Sequence, residues 1–288
     1  MKKREQDLQA EGRVSRFVRT LALAVIAGSA ALPAAAEQAG DFYYGVNGDT
    51  QITITGYAGA GGTLVIPAEI AGLPVTRIGA HAFRDLSELT GALVIPDGVA
   101  EIGAYAFYNC SNLTSLVIGK GVVTIEDRTF DHCAGLKSLV IGSGVTSIED
   151  YAFELCVGLT GGLVIPDGVT SIGSAAFHTC SNLTSLVIGS GVSSIGRGAF
   201  SGCSGLTGEL ALPDGLREIE PWVFAFCSGL TGTLTIPDSV GHIGATAFAG
   251  CVGLTGTLVI PAATTNIDDG AFENCPGLSD LVLGNGVK

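Results

Sequence analysis

A chain of 288 residues that is 47% hydrophobic and only 14% charged can bury a core, which excludes a disordered segment. Its 43 glycines run at about twice the usual share without a Gly-X-Y period, which excludes collagen and points to many tight turns. A formal charge of −13 repels phosphate backbones and anionic lipid, so nucleic acid is excluded as a partner.

Residues 1–36 have the pattern of a signal peptide. Arg13, Arg16 and Arg19 form a basic lead, LALAVIAGSAAL is apolar, and Pro33 with Ala34-Ala35-Ala36 offers a small-residue cleavage site before Glu37. The apolar run falls short of the roughly 20 residues that a spanning helix needs. Export is therefore expected rather than anchoring, with no transmembrane segment once the signal is removed. The long basic lead leaves the true start open, with Val14 an alternative region. Without these residues the chain keeps 8 basic and 24 acidic side chains, a net of −16.

Residues 37–63 contain two strand-like runs around a Gly-Asp turn, DFYYGVNGDTQITITGY, and three of the six tyrosines. They form the candidate N-terminal β cap, covering the open end of the first repeat.

From residue 64 to 288 the chain repeats. Phe83, Phe107, Phe130, Phe153, Phe177, Phe200, Phe224, Phe248 and Phe272 recur at intervals of 23 or 24. Cys110, Cys133, Cys156, Cys180, Cys203, Cys227, Cys251 and Cys275 each lie three residues after a Phe, and Leu86 takes that place in the first unit. An Ile recurs five residues before the Phe from Ile102 to Ile243. Units of 24 carry an extra residue before the strand and continue Ile-Pro, as in LTGGLVIPDG. Units of 23 lack it and continue Ile-Gly, as in LTSLVIGSG. Each unit translates into one coil: a short strand such as Leu116-Val117-Ile118, a second extended piece at Val-x-x-Ile-Gly, and a Phe-x-x-Cys segment with the spacing of a short helical turn. A single unit cannot bury its apolar face, but stacked units bury a continuous ladder. The last unit breaks off at LVLGNGVK, so the solenoid is expected to be truncated at its C-terminus.

The string I-P-x-x-V-x-x-I-G-x-x-A-F-x-x-C-x-x-L, matched by IPDGVTSIGSAAFHTCSNL, resembles the BspA-like leucine-rich repeat family. The likeness covers roughly residues 64–287 and includes the lead-in ITITGYAG. It implies a leucine-rich-repeat solenoid: a right-handed coil of nine to ten 23–24-residue repeats with a parallel β-sheet face, short second strands and short helical turns. It also implies an exported or surface protein concerned with adhesion to host proteins or other microbes. The resemblance supplies no catalytic or binding residues.

Eight cysteines in an exported chain ordinarily mean disulfides. Here all occupy one column beside the core Phe column, and parallel Cβ vectors favour a buried thiol ladder. A straight ladder does not converge four thiolates on a metal. The structural ladder is thus Phe107, Phe130, Phe153, Phe177, Phe200, Phe224 and Phe248 with Cys110, Cys133, Cys156, Cys180, Cys203, Cys227 and Cys251. His81, His132, His178 and His242 share no column, so no metal is expected. Asp131-His132 lacks a fixed nucleophile. Asp97, Asp167 and Asp238 follow Ile-Pro and Asp214 follows Leu-Pro, where Asp suits a tight turn better than a calcium ladder. No cofactor and no enzyme activity are expected.

The outward strand column holds Val117, Val140, Val164 and Val187, beside a small or polar column of Ser115, Ser138, Gly162 and Ser185. Two explanations stand: a protein-binding stripe, or the β-propensity of valine. The expected function is an exported, non-enzymatic protein-binding or adhesion module, its partner a protein of a host matrix or another microbe. The alternative is a structural spacer segment of a larger cell-surface protein.

Overall fold

The computed structural model describes residues 37–287, and the expected signal peptide lies outside the described residues. The chain enters as an antiparallel meander. Strand β1 (Glu37–Ala39) pairs with β2 (Phe42–Asn47), which turns at Gly48-Asp49 into β3 (Gln51–Tyr57). Both residues have φ near +60°, and Thr50 N–H closes the turn on Asn47 O, so that Asn47 pairs with Gln51 across a three-residue loop. Strand β3 then runs parallel to Leu73–Ile78 and so hands the meander over to the coils.

The coils stack as the repeat requires. Eight rings from Phe83 to Phe248 are at most 1% exposed. Successive centroids lie 4.8–5.6 Å apart and are nearly parallel through to Phe272. The Ile of the second extended piece forms two-residue strands, such as Glu101–Ile102 and Ser147–Ile148, paired in parallel coil to coil. The first sheet face is less continuous than a simple stack predicts. Gly62–Thr63, Leu89–Ile95, Leu113–Ile118 and Ser138–Val140 form one sheet, Gly161–Val164 pairs with Leu183–Val187, and Gly256–Ile260 pairs with Leu278–Leu283. Between the last two pairs only isolated bridges remain.

The two repeat lengths have a steric cause. The extra residue of the longer units is a glycine with φ of +77° to +83°: Gly91, Gly161, Gly208, Gly232 and Gly256. The strand register shifts after Gly91, Gly161 and Gly256, so each is a β-bulge that absorbs one residue and leaves the core columns in step. In the shorter units the residue after the strand presses on the coil before it. A Cβ added at Gly119 or Gly142 would lie 2.6 Å from Ile95 O or Ile118 O. Proline cannot fit there, whereas the bulged coils stand off enough to accept it.

The segment from Phe to Cys corrects the expected helical turn, since no helix occurs among the described residues. Its N–H groups alternate in direction. In one coil Ala106, Tyr108 and Cys110 donate back three residues to Gly103 O, Tyr105 O and Phe107 O. Tyr105, Phe107 and Asn109 instead donate forward to Asp127 O, Thr129 O and Asp131 O of the next coil. Helical spacing is preserved, but every second N–H is used to join coils. The alternation requires positive φ two residues before and two after each Phe, as at Tyr105 (+58°) and Asn109 (+56°).

Candidate functional site

The outward valines line up in register: Val94 with Val117, Val117 with Val140, Val164 with Val187, and Val259 with Val282. All are exposed, from 39% at Val117 to 59% at Val164. Ser115 faces Ser138 and Gly162 faces Ser185 in the neighbouring column. Outside both, hydroxyls of Thr160 and Thr207 donate to Lys137 O and Thr184 O of the preceding coil. The result is an apolar stripe beside hydroxyl rows. It is interrupted where Ala211 and Thr235 replace valine and a depression of about 250 Å³ opens between Glu209, Asp214, Thr233 and Pro237.

The cysteines are free and buried, and each thiol has a partner that sequence reasoning did not supply. Cys110 Sγ donates to Phe83 O at 3.0 Å, and Cys156 Sγ to Phe130 O at 3.2 Å. The remaining six repeat this contact with the Phe carbonyl of the preceding coil. Each interior Phe carbonyl therefore accepts the Cys N–H of its own coil and the Cys S–H of the next. Burial pushes the thiols of Cys110, Cys203 and Cys251 up to about 12, and those of Cys133, Cys156, Cys180 and Cys227 well above the usual range. Such thiols are poor nucleophiles and poor metal ligands.

The Ile-Pro-Asp turns act between coils. Asp97 Oδ1 accepts Lys120 N–H at 3.0 Å, which with the Lys120 side chain holds its carboxyl below the usual range. Asp167 Oδ1 accepts Ser190 N–H at 2.8 Å.

A polar cluster on the turn face joins residues that the sequence left apart. Asp131 is fully buried, with Oδ2 accepting Arg128 Nη1 at 2.7 Å and Oδ1 2.6 Å from His132 Nδ1. Arg128 also reaches Glu154 at 3.2 Å and lies over the Tyr151 ring at 3.9 Å. Glu154 in turn meets His178 Nδ1 at 3.1 Å. Burial pushes the Asp131 carboxyl up, opposed by the hydrogen bonds from Arg128 and His132. The sequence signal was present: DRTFDHC puts Thr129 in an otherwise mostly Ala column and brings three charged residues into one turn. Thr179 Oγ1 is nearly equidistant from both His178 ring nitrogens, at 3.3 and 3.4 Å. Equal distances align it with neither nitrogen's lone pair, so it is not a nucleophile paired with a base. No group of three or more His, Cys, Asp or Glu could hold a metal ion among the described residues. No helix among them is long and apolar enough to cross a membrane.

Stacked coils with a Phe core, parallel strands on one face and inter-coil turns on another define a leucine-rich-repeat solenoid. Residues 69–183 and 159–279 match the model of the BspA type leucine rich repeat region, in six copies. The chain belongs to that family. A solved leucine-rich repeat protein from Bacteroides ovatus is 28% identical, with 85% of this chain and 70% of that one covered and a TM-score of 0.72. The leucine rich repeat protein of T. pallidum is 29% identical over 76% of this chain and 91% of its own, with a TM-score of 0.56. One from Eubacterium ventriosum shares the fold at 20% identity, covering 82% and 93%, with a TM-score of 0.52. Comparison with curated proteins gives no match.

Proposed function

We propose that this protein is an exported, non-enzymatic binding module that holds a protein partner by shape along the solenoid surface, in the manner of an adhesin. The observation that carries this reading is the row of exposed valines, Val117, Val140, Val164 and Val187, displayed on a rigid stack. Contiguous exposed apolar surface rimmed by polar groups is a common mark of a protein contact. β-Propensity alone would fill the column with valine too, so the stripe must be tested by charge. Arg128–Glu154 and Glu154–His178 clasp neighbouring coils, Asp131–His132 lies within one coil, and neither histidine pair is given a catalytic role.

The test is capture of host matrix proteins and intact bacteria by the chain lacking residues 1–36, against the same chain carrying Val140→Lys, Val164→Lys and Val187→Lys. Loss of capture with unchanged circular dichroism supports the stripe. Unchanged capture moves the contact to another face. A spacer reading is favoured by the unbroken ring stack, which makes the coils stiff. It would be adopted if neither form captures any partner.

A further inference from the structure

We propose that the turn face around Trp222 and Phe226 is a second contact site, built to seat an uncharged polypeptide segment through an apolar side chain. The proposal rests on the protein-binding reading above but places a specific anchor on a different face.

Trp222 is the sole tryptophan of the chain and is 36% exposed, and Phe226 is 53% exposed. Their rings lie 6.3 Å apart at 46°. They occupy the positions two before and two after Phe224, where the backbone is left-handed, with φ of +66° and +61°. Bulky aromatic residues are poorly suited to that conformation. The coil before has Gly198 and Gly202 at the same two positions, and the coil after has Thr246 and Gly250. Smaller residues therefore fill these positions on both sides, and among the described residues only this coil carries an aromatic ring at both of them. The left-handed backbone is common to every coil, so what singles this one out is the exposed aromatic pair it carries there.

The surroundings are shaped to the rings. A Cβ added at Gly250 would come within 2.9 Å of Phe226 Cδ1, so the bare backbone of the following coil is what lets the Phe226 ring lie over it. The four consecutive windows AAFHT, GAFSG, WVFAF and TAFAG (175–179, 198–202, 222–226 and 246–250) contain no charged residue, whereas HAFRD, RTFDH, YAFEL and GAFEN on the same face do, and Arg197 and Glu220 stand at the rim of the neutral run. This neutral patch on a chain of net −13 decides between occupants. A second copy would bring its own excess of negative charge, and an anionic membrane would be repelled. An uncharged segment with an exposed apolar side chain meets neither cost. Tryptophan is also among the residues that most often dominate binding at such contacts.

The test is selection of a phage-displayed peptide library on the chain lacking residues 1–36, followed by titration of the enriched synthetic peptides. Trp222 emission is the readout, since no other tryptophan contributes. The expected result is enrichment of uncharged peptides with aromatic or aliphatic residues, a blue shift of emission on binding, and at least a tenfold weaker Kd for W222T/F226G by calorimetry. Those replacements copy the following coil, so the fold is kept, and circular dichroism checks it. Equal affinity for W222T/F226G overturns the proposal. So does enrichment of cationic peptides, an emission shift with phosphatidylcholine vesicles, or a Trp222-dependent dimer in sedimentation. Binding lost in the triple Val→Lys variant but kept in W222T/F226G overturns it while leaving the stripe intact. No enrichment at all overturns this proposal, whereas the stripe is judged separately by the capture assay.

Discussion

Phe177→Ala tests the premise that like rings, stacked coil on coil, hold the solenoid together. The ring is fully buried, 5.2 Å from Phe153 and 5.4 Å from Phe200, with interplanar angles of 8° and 1°. Removing a buried Phe leaves a cavity and costs about 3–5 kcal/mol. For a unit of this size that lowers Tm by about 6–20 °C. Phe272 supplies the internal control. It is only partly buried and stacks on Phe248 from one side, at 5.4 Å. Phe272→Ala should cost roughly half as much, about 1.5–2.5 kcal/mol. Urea unfolding followed by far-ultraviolet circular dichroism gives both values. Emission of Trp222, two coils beyond Phe177, shows whether the break stays local, as a one-dimensional stack allows. Equal losses for Phe177→Ala and Phe272→Ala would refute the stack as the source of stability.

The remaining predictions probe other contacts. Gly142→Ala forces a Cβ to within 2.6 Å of Ile118 O and should cost about 1–3 kcal/mol. Gly168→Ala, whose nearest atoms lie at 3.4 Å or beyond, should be near neutral; differential scanning calorimetry of the two compares them. Arg128→Met leaves the buried Asp131 carboxylate with His132 alone and should cost up to about 3–5 kcal/mol. Adding Asp131→Asn to that variant should restore much of the loss, measured by urea midpoints. Stability should also fall in alkali. The buried thiols hold their protons to about pH 12, while unfolded thiols release theirs from about pH 8.5, so the folded state binds more protons in that window. Their contribution is complete below pH 8.5 or so and is lost as the pH climbs toward 12. Urea midpoints at neutral and alkaline pH should separate less in Cys156→Ala/Cys180→Ala than in the parent.

The columns that the core uses were legible because burial restricts them to one residue type. Phe, Cys, Ile and the strand Leu each recur on schedule, and the coil, its parallel pairing and the ring stack all follow from that schedule. The meander was legible as well, from two β-rich runs around Asn-Gly-Asp. The conformation of the turn was not. Phe-x-x-Cys fits a helix and an alternating turn equally by spacing, and what separates them is where the odd N–H groups go, a contact with the next coil. The thiol bond to the preceding Phe carbonyl is hidden for the same reason. The clasp at Asp131 was visible only as an exception, Thr129 in a column that is otherwise mostly Ala.

The two coil lengths bear on where recognition can evolve. A glycine bulge lets a coil gain a residue on the strand face without moving Phe, Cys or Ile, and the choice of Pro or Gly after the strand follows from the spacing that results. Apart from Leu210-Ala211-Leu212, Leu234-Thr235-Ile236 and the last strand, the strand face repeats Leu-Val-Ile, and a row that repetitive offers little to tell one partner from another. The turn face obeys a different rule. Its two left-handed positions per coil are bonded through the backbone, so their side chains are free to vary, and glycine would fit them with least strain. Yet glycine fills only Gly198, Gly202, Gly250 and Gly270 of the eighteen positions flanking the nine Phe. The other fourteen carry side chains at a cost of roughly 1–2 kcal/mol each on general steric grounds. They include His81, Tyr105, Arg128, Tyr151, Trp222 and Phe226, and Trp, Tyr and Arg are the types that most often dominate binding at protein contacts in general. A surface kept varied against its own backbone preference is the place to look for specificity, and the W222T/F226G and triple Val→Lys variants compare it with the valine stripe.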